Sequence, residues 1–208
     1  MKKKPDRRLL VIGRYKFFLF GGPPKYLKNM SKLREAHWFD LSEIYSSSND
    51  KFALKFKASK KSKEPVAFIL RSEPSKLRDI IKIIRQTIRE ITYNFPDEDT
   101  TKINVPQELQ APLDPYKVLS PIQALIDTYY ARCSYNKIDV STNFVFWLEN
   151  LVFNTTKDVV NNDMDVSDCP GSDTDSNINI DFKPLMQALR YNDFFKSFVA
   201  RNVQRKEL

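Results

Sequence analysis

Apolar and polar positions alternate strictly along Lys51-Phe52-Ala53-Leu54-Lys55-Phe56-Lys57, with the three large hydrophobes on one side and the lysines on the other. A period of two is the signature of a half-buried strand. Arg8-Leu9-Leu10-Val11-Ile12 and Lys16-Phe17-Phe18-Leu19-Phe20 flank Gly13-Arg14-Tyr15, which predicts a tight hairpin. Gly21-Gly22-Pro23-Pro24 opens a loop expected to run to Glu35, and a strand is expected over His37–Tyr45. After the basic turn Ser59–Lys63, the run Val66-Ala67-Phe68-Ile69-Leu70 predicts one more strand.

The period then changes. Leu77, Ile81, Ile84, Ile88 and Ile91, with Ile80 beside them, recur at helical spacing, so a helix is expected from about Pro74 to Thr92. Arg78, Lys82, Arg85 and Arg89 fall within roughly 60° of one another on a flank of that apolar face. Residues 93–118 are rich in Pro and Asp without a period and read as a linker. A second helix begins at Ser120-Pro121 and carries the stripe Ile122, Leu125, Ile126, Tyr129 and Cys133. Asp139 or Ser141 can cap a third, strongly apolar helix ending near Phe153. The acidic Asn/Ser/Asp tract 155–179 predicts a disordered insert. A short helix over Lys183–Tyr191 and a strand over Phe194–Val203 are expected to follow. The organisation is thus 1–92, a linker 93–118, and 119–208.

Charge sharpens that division. Residues 1–92 hold 23 Lys and Arg against 9 Asp and Glu, whereas the rest holds 11 against 17, which together give the net charge of +8. The first part is therefore expected to seek an anionic partner. Two cysteines, Cys133 and Cys169, are too few for a disulfide framework and fit a reducing cytosol. No run approaches the ~18–20 apolar residues of a membrane-spanning helix.

Enzyme chemistry finds no foothold. His37 is the only histidine and neighbours Trp38 inside a strand pattern, so it reads as structural. One histidine and two separated cysteines cannot supply the usual zinc spacings. Asp163, Asp165, Asp168, Asp173 and Asp175 lack the glycine and terminal glutamate of an EF-hand loop. Phosphate-cradling glycine loops and nucleophile elbows are missing too. No catalytic residue, metal site or cofactor is expected.

Five strands and a closing amphipathic helix resemble the PH superfold. Thr128-Tyr129-Tyr130-Ala131-Arg132-Cys133-Ser134-Tyr135-Asn136, followed by Val140–Val152, resembles the segment joining the PH and repeat domains of the CARMIL family, regulators of actin capping protein. Leu185-Met186-Gln187-Ala188-Leu189-Arg190-Tyr191-Asn192-Asp193-Phe194-Phe195-Lys196 resembles the unit that caps that family's leucine-rich repeats. Arg8–Ile12 with Tyr15–Phe20 looks like its paired PH strands, and Phe39–Ile44 like the next one.

The resemblance implies an α+β chain: a PH-like β-barrel closed by a C-terminal helix, then an α-helical linker and the N-terminal cap of a leucine-rich-repeat domain. Only Met1–Arg7 precede the Arg8 strand, so a truncated product or an open barrel edge is expected. The implied role is a non-enzymatic cytoplasmic adaptor, peripheral at the plasma membrane, that binds acidic phospholipids weakly and with low selectivity. Its candidate lipid residues are Lys2, Lys3, Lys4, Arg7 and Arg8, then Lys25, Lys28, Lys32 and Arg34, then Lys60, Lys61 and Lys63. Capping protein would be reached only through segments outside this chain, and homodimerisation of a full-length protein stays open. The alternatives are a protein-docking module, or a nucleic-acid module using the stripe Arg78, Lys82, Arg85 and Arg89. Aromatics that alternate inward argue against base stacking and so against nucleic acid.

Overall fold

The computed structural model of the protein describes residues 8–21, 30–58, 65–115, 121–155, 163–167, 169 and 181–201. The chain is α+β and divides into two compact units. The first comprises the described residues of Met1–Arg89 together with Thr100–Asp114; the second comprises Glu90–Asp99 and the described residues of Pro115–Leu208.

In the first unit, β1 (Leu9–Ile12), β2 (Lys16–Gly21) and β3 (Ser31–His37) form an antiparallel sheet in that order. The β1–β2 hairpin closes through Gly13, whose N–H donates to the Lys16 carbonyl at 2.8 Å. A Cβ at Gly13 would stand 3.0 Å from that same oxygen, which is why the turn takes glycine. β3 occupies the last third of the segment expected to be a loop up to Glu35. It carries no apolar alternation because Ser31 to Glu35 are exposed on both sides of an edge strand.

The strand expected over His37–Tyr45 is two strands with a corner between them. A 3-10 turn at Trp38–Asp40 separates β3 from β4 (Leu41–Ser48). The His37 side chain caps this turn, Nδ1 accepting from the Phe39 N–H at 3.1 Å. Trp38 is buried at the corner, and its Nε1 donates to the Gly13 carbonyl at 2.9 Å. β4 pairs with β5 (Lys51–Phe56), and β5 pairs with β6 (Val66–Arg71), both antiparallel. Phe52, Leu54 and Phe56 are buried, as the alternation requires. The Phe17 ring of β2 lies 5.2 Å from Phe56, 5.4 Å from Phe68 and 5.7 Å from Trp38, so aromatic side chains join the two sheets. The described strands form open sheets, and no closed barrel is found among them.

Helix α1 (Pro74–Ile91) buries Leu77, Ile81, Ile84, Ile88 and Ile91, while Ile83 stays half exposed. Residues 93–118 carry more structure than their composition predicts. β7 (Lys102–Asn104) adds to the second sheet, parallel to β4, for an order β6-β5-β4-β7. Thr101 Oγ1 donates to the Leu41 carbonyl at 3.1 Å, and Val105, Leu109 and Ala111 are buried.

The second unit is built on α2 (Pro121–Asn136), α3 (Thr142–Thr155) and α4 (Phe182–Leu189). The expected stripe of α2 is buried, and Phe144, Val145 and Leu148 of α3 with Leu185 and Ala188 of α4 complete its core. Ser141 rather than Asp139 caps α3, accepting from the Phe144 N–H. Asp181 caps α4, accepting from the Lys183 N–H at 2.9 Å. The acidic tract expected to be disordered contains β8 (Asp163–Asp165), which pairs in parallel with β9 (Ser197–Val199). Met164, Val166 and Cys169 supply the apolar anchors, each buried in the same core. The remainder of the tract lies outside the described residues. The terminal strand is shorter than the Phe194–Val203 run expected from sequence because Asn192 and the residues after it form a turn.

Candidate functional site

Of the twelve basic residues proposed to face lipid, the structure describes Arg8, Lys32 and Arg34. Lys2, Lys3, Lys4, Arg7, Lys25, Lys28, Lys60, Lys61 and Lys63 lie outside the described residues. The three described are exposed on one sheet: Arg8 precedes β1, and Lys32 and Arg34 belong to β3. They are not equally available. Lys32 Nζ lies 2.8 Å from Glu35, which also receives Lys16 Nζ at 3.0 Å. Hydrogen bonds from Lys32 and then Lys16 hold the Glu35 carboxyl well below the usual range, at about 2. The Arg34 guanidinium sits 5.7 Å from the centre of the Phe68 ring.

The second basic set, along α1, is occupied differently. Lys82 pairs with Asp114 at 2.8 Å, Arg85 donates to the Ala111 carbonyl at 3.1 Å, and Arg89 donates to Gln86 and to the Asp114 carbonyl. Burial, followed by the neighbouring Arg89, lowers the Arg85 pKa from its ordinary value. Three of the four cations thus secure the segment 111–114 along the helix, and Arg78 is the exposed remainder.

His37 is buried as the acceptor of a turn, a structural placement. Cys133 is also buried, and its thiol is pushed up to about 11, so it is a poor nucleophile at neutral pH. Groups of three or more His, Cys, Asp or Glu able to hold a metal ion are absent among the described residues. No helix among them is long and apolar enough to cross a membrane.

Sequence reasoning missed a cleft of about 820 Å³ in the second unit, where 93–99 meets the turn after α4. Phe95 and Tyr191 stack with ring centres 3.8 Å apart, and the Tyr191 hydroxyl donates to Asp99 Oδ2 at 3.1 Å. The Arg132 guanidinium lies 5.5 Å from the Phe95 ring and 5.8 Å from the Tyr191 ring; Arg190 lies 5.3 Å from the latter. Burial lowers the Arg132 pKa from its ordinary value. The available signal was a doubled pattern: Tyr93-Asn94-Phe95-Pro96-Asp97-Glu98-Asp99 and Tyr191-Asn192-Asp193-Phe194 both join Tyr-Asn to a nearby phenylalanine and acid. Reading the first as linker concealed it.

No family model matches the chain. It is similar to Protein CARMIL of Dictyostelium discoideum, with 25% identity over 200 residues. The alignment covers 96% of this chain and 17% of that protein, so the chain spans about a sixth of the relative it matches. At this low identity, a match running along almost the whole chain suggests the CARMIL family.

Proposed function

We propose that the chain is a non-enzymatic, membrane-apposed module of a CARMIL-like regulator of actin capping protein, and that its basic first part binds acidic phospholipid with little headgroup selectivity. The observation that carries the lipid reading is the charge partition, 23 Lys and Arg against 9 Asp and Glu in 1–92. Exposure of Arg8, Lys32 and Arg34 on one sheet is in keeping with it. Each basic residue near an anionic leaflet contributes about 1 kcal/mol, so several acting together give reversible attachment rather than anchoring. Lys32 contributes less than its exposure suggests, since it shares Glu35 with Lys16.

The adaptor role and the repeat cap rest on the resemblance of residues 128–152 and 185–196 to the CARMIL family, in keeping with the likeness to Protein CARMIL. The PH-like reading rests on the run of strands followed by an amphipathic helix; the described strands form open sheets. Capping protein belongs, in this reading, to segments outside these 208 residues. The module works in the cytoplasm, at the plasma membrane. The α1 stripe is the weaker anion site, because three of its cations bind the protein's own 111–114 segment.

Vesicle co-sedimentation tests the reading. Recovery with phosphatidylserine-rich vesicles is expected to exceed recovery with neutral ones at low salt, and to fall as salt is raised. Phosphoinositide and phosphatidylserine vesicles of equal surface charge are expected to recover similar amounts. Equal recovery on neutral and acidic vesicles would sink the lipid reading.

A further inference from the structure

One side of the β1-β2-β3 sheet is apolar along β1 and β2 and charged along β3. Phe17 and Leu19 of β2 are buried, so Phe18 and Phe20, which alternate with them, stand on the opposite side. Strand pairing sets Leu9 across from Phe20 and Val11 across from Phe18, which brings all four to that outer side. None of them is buried. Leu9 is 37% exposed and Val11 40%, and Phe18 and Phe20 are partly exposed with ring centres 6.4 Å apart. Scattered surface hydrophobes need no explanation, but adjoining ones mark an interaction face. The charges on the same side follow from the same register. Lys32 lies across from Phe20 and Glu35 across from Phe18, and Glu35 receives both Lys32 and Lys16. Arg34, across from the buried Leu19, belongs to the inner side, where it meets Phe68. Arg8 and Arg14 are exposed near the two ends of β1.

We propose that this outer face is where the module meets the membrane, with Leu9, Val11, Phe18 and Phe20 entering the interface of an anionic bilayer. The inference rests on the lipid reading and adds a second force to it: charge brings the module to the surface, and apolar burial slows its departure. Charge complementarity selects the occupant. Lys16 and Lys32 outnumber Glu35 on the face itself, with Arg8 and Arg14 beside it, so an anionic partner is drawn to it. A second copy of the chain would set like against like, because each copy carries 23 Lys and Arg against 9 Asp and Glu in 1–92. Nucleic acid would satisfy the cations and leave Leu9 and Val11 without apolar partners. A bilayer interface supplies both chemistries at once. Acyl chains receive the four apolar side chains, while the lysine stems lie along them and lift their ammonium groups to the headgroups.

The test uses the full chain with the variant Val11→Cys carrying an NBD dye, mixed with phosphatidylserine-rich vesicles; Cys133 and Cys169 are buried and stay unlabelled. Ile69→Cys, labelled in the same way, is the control, an exposed apolar position on β6 of the other sheet. The dye at position 11 is expected to brighten, shift to the blue and be quenched by brominated acyl chains, and the dye at position 69 to do none of these. Leu9→Ser/Val11→Ser is expected to weaken vesicle binding about tenfold, and Ile69→Ser to leave it unchanged. Undiminished binding by the folded double variant overturns the proposal. So does a chain that sediments with acidic vesicles while the dye at position 11 stays in water or responds no more than the dye at position 69. That last pair of outcomes leaves the lipid reading standing and is the one expected if an acidic protein occupies the face. Failure to sediment with acidic vesicles overturns both. If the double variant does not fold, the dye decides, since it alters one exposed side chain.

Discussion

Lys137 is the one described residue other than glycine with positive φ, at 59°. It follows the last residue of α2, and the Ile138 N–H donates to the Cys133 carbonyl at 3.0 Å, closing the helix end as a left-handed cap. Left-handed backbone costs a side-chain-bearing residue roughly 1 kcal/mol that glycine avoids. Lys137→Gly is therefore expected to raise stability by about that amount, read as a higher urea midpoint. Glu35 predicts an acid dependence with a definite sign. Its folded pKa, about 2, lies below the ordinary 4.5, so its contribution is complete above pH 4.5 and fades as pH falls toward 2. The group is partly exposed and screened, which keeps the effect modest. Comparing Glu35→Gln with the unaltered protein at pH 7 and pH 3 should show a stability gap that narrows in acid. A gap that widens would show that the two lysines do not act on this carboxylate as described. At Trp38, replacement by Phe keeps the ring in the corner but strands the Gly13 carbonyl, with an expected cost of about 1–3 kcal/mol.

Among elements, legibility followed local periodicity. α1 and β5 were readable because their buried faces are drawn from consecutive turns or alternate residues of one segment, Leu77 to Ile91 and Phe52 to Phe56. The Trp38 corner was not, since an apolar run looks the same whether the chain continues straight or turns onto another sheet. What turns it is a single side-chain acceptor, His37, and a bond from Trp38 to a distant hairpin. β3 and β8 failed for another reason: an edge strand exposed on both faces, and a three-residue strand with one buried methionine, have no period to read. The candidate lipid residues were legible as charge, whereas the cleft was not, because it joins residues 93–99 to 190–193 across the sequence. The helical period makes its own prediction. Ile84→Ala should cost about 2–5 kcal/mol, while Ile83→Ala, half exposed on the same helix, should change stability by about 0.5 kcal/mol or less. Thermal unfolding of the two variants checks it; similar losses would mean that α1 is rotated from the orientation described.

At the scale of the whole molecule, the composition boundary and the packing boundary differ. Charge changes sign near residue 92, yet the chain returns to the first unit at Thr100, laying β7 beside β4 and burying Leu109 before leaving again at Asp114. A fragment ending at 92 discards that strand, Leu109 and the partners of Lys82 and Arg85. It is expected to be less stable than a fragment ending at 114 by at least the roughly 2–5 kcal/mol of a lost buried leucine. Denaturant unfolding of the two fragments tests this, and equal midpoints would contradict the role given to 100–114.

The return of the chain at Thr100 also sets an order of events during synthesis. When α1 has emerged from the ribosome, β4 still has no neighbour on the side that β7 will take, and the site of Leu109 is unfilled. The first unit must wait for residue 114, and by then 90–99 has been made without the α4 turn that supplies Tyr191 to stack on Phe95. Synthesis from the N-terminus therefore delivers every residue of the first unit while Phe95 of the second still lacks its stacking partner Tyr191.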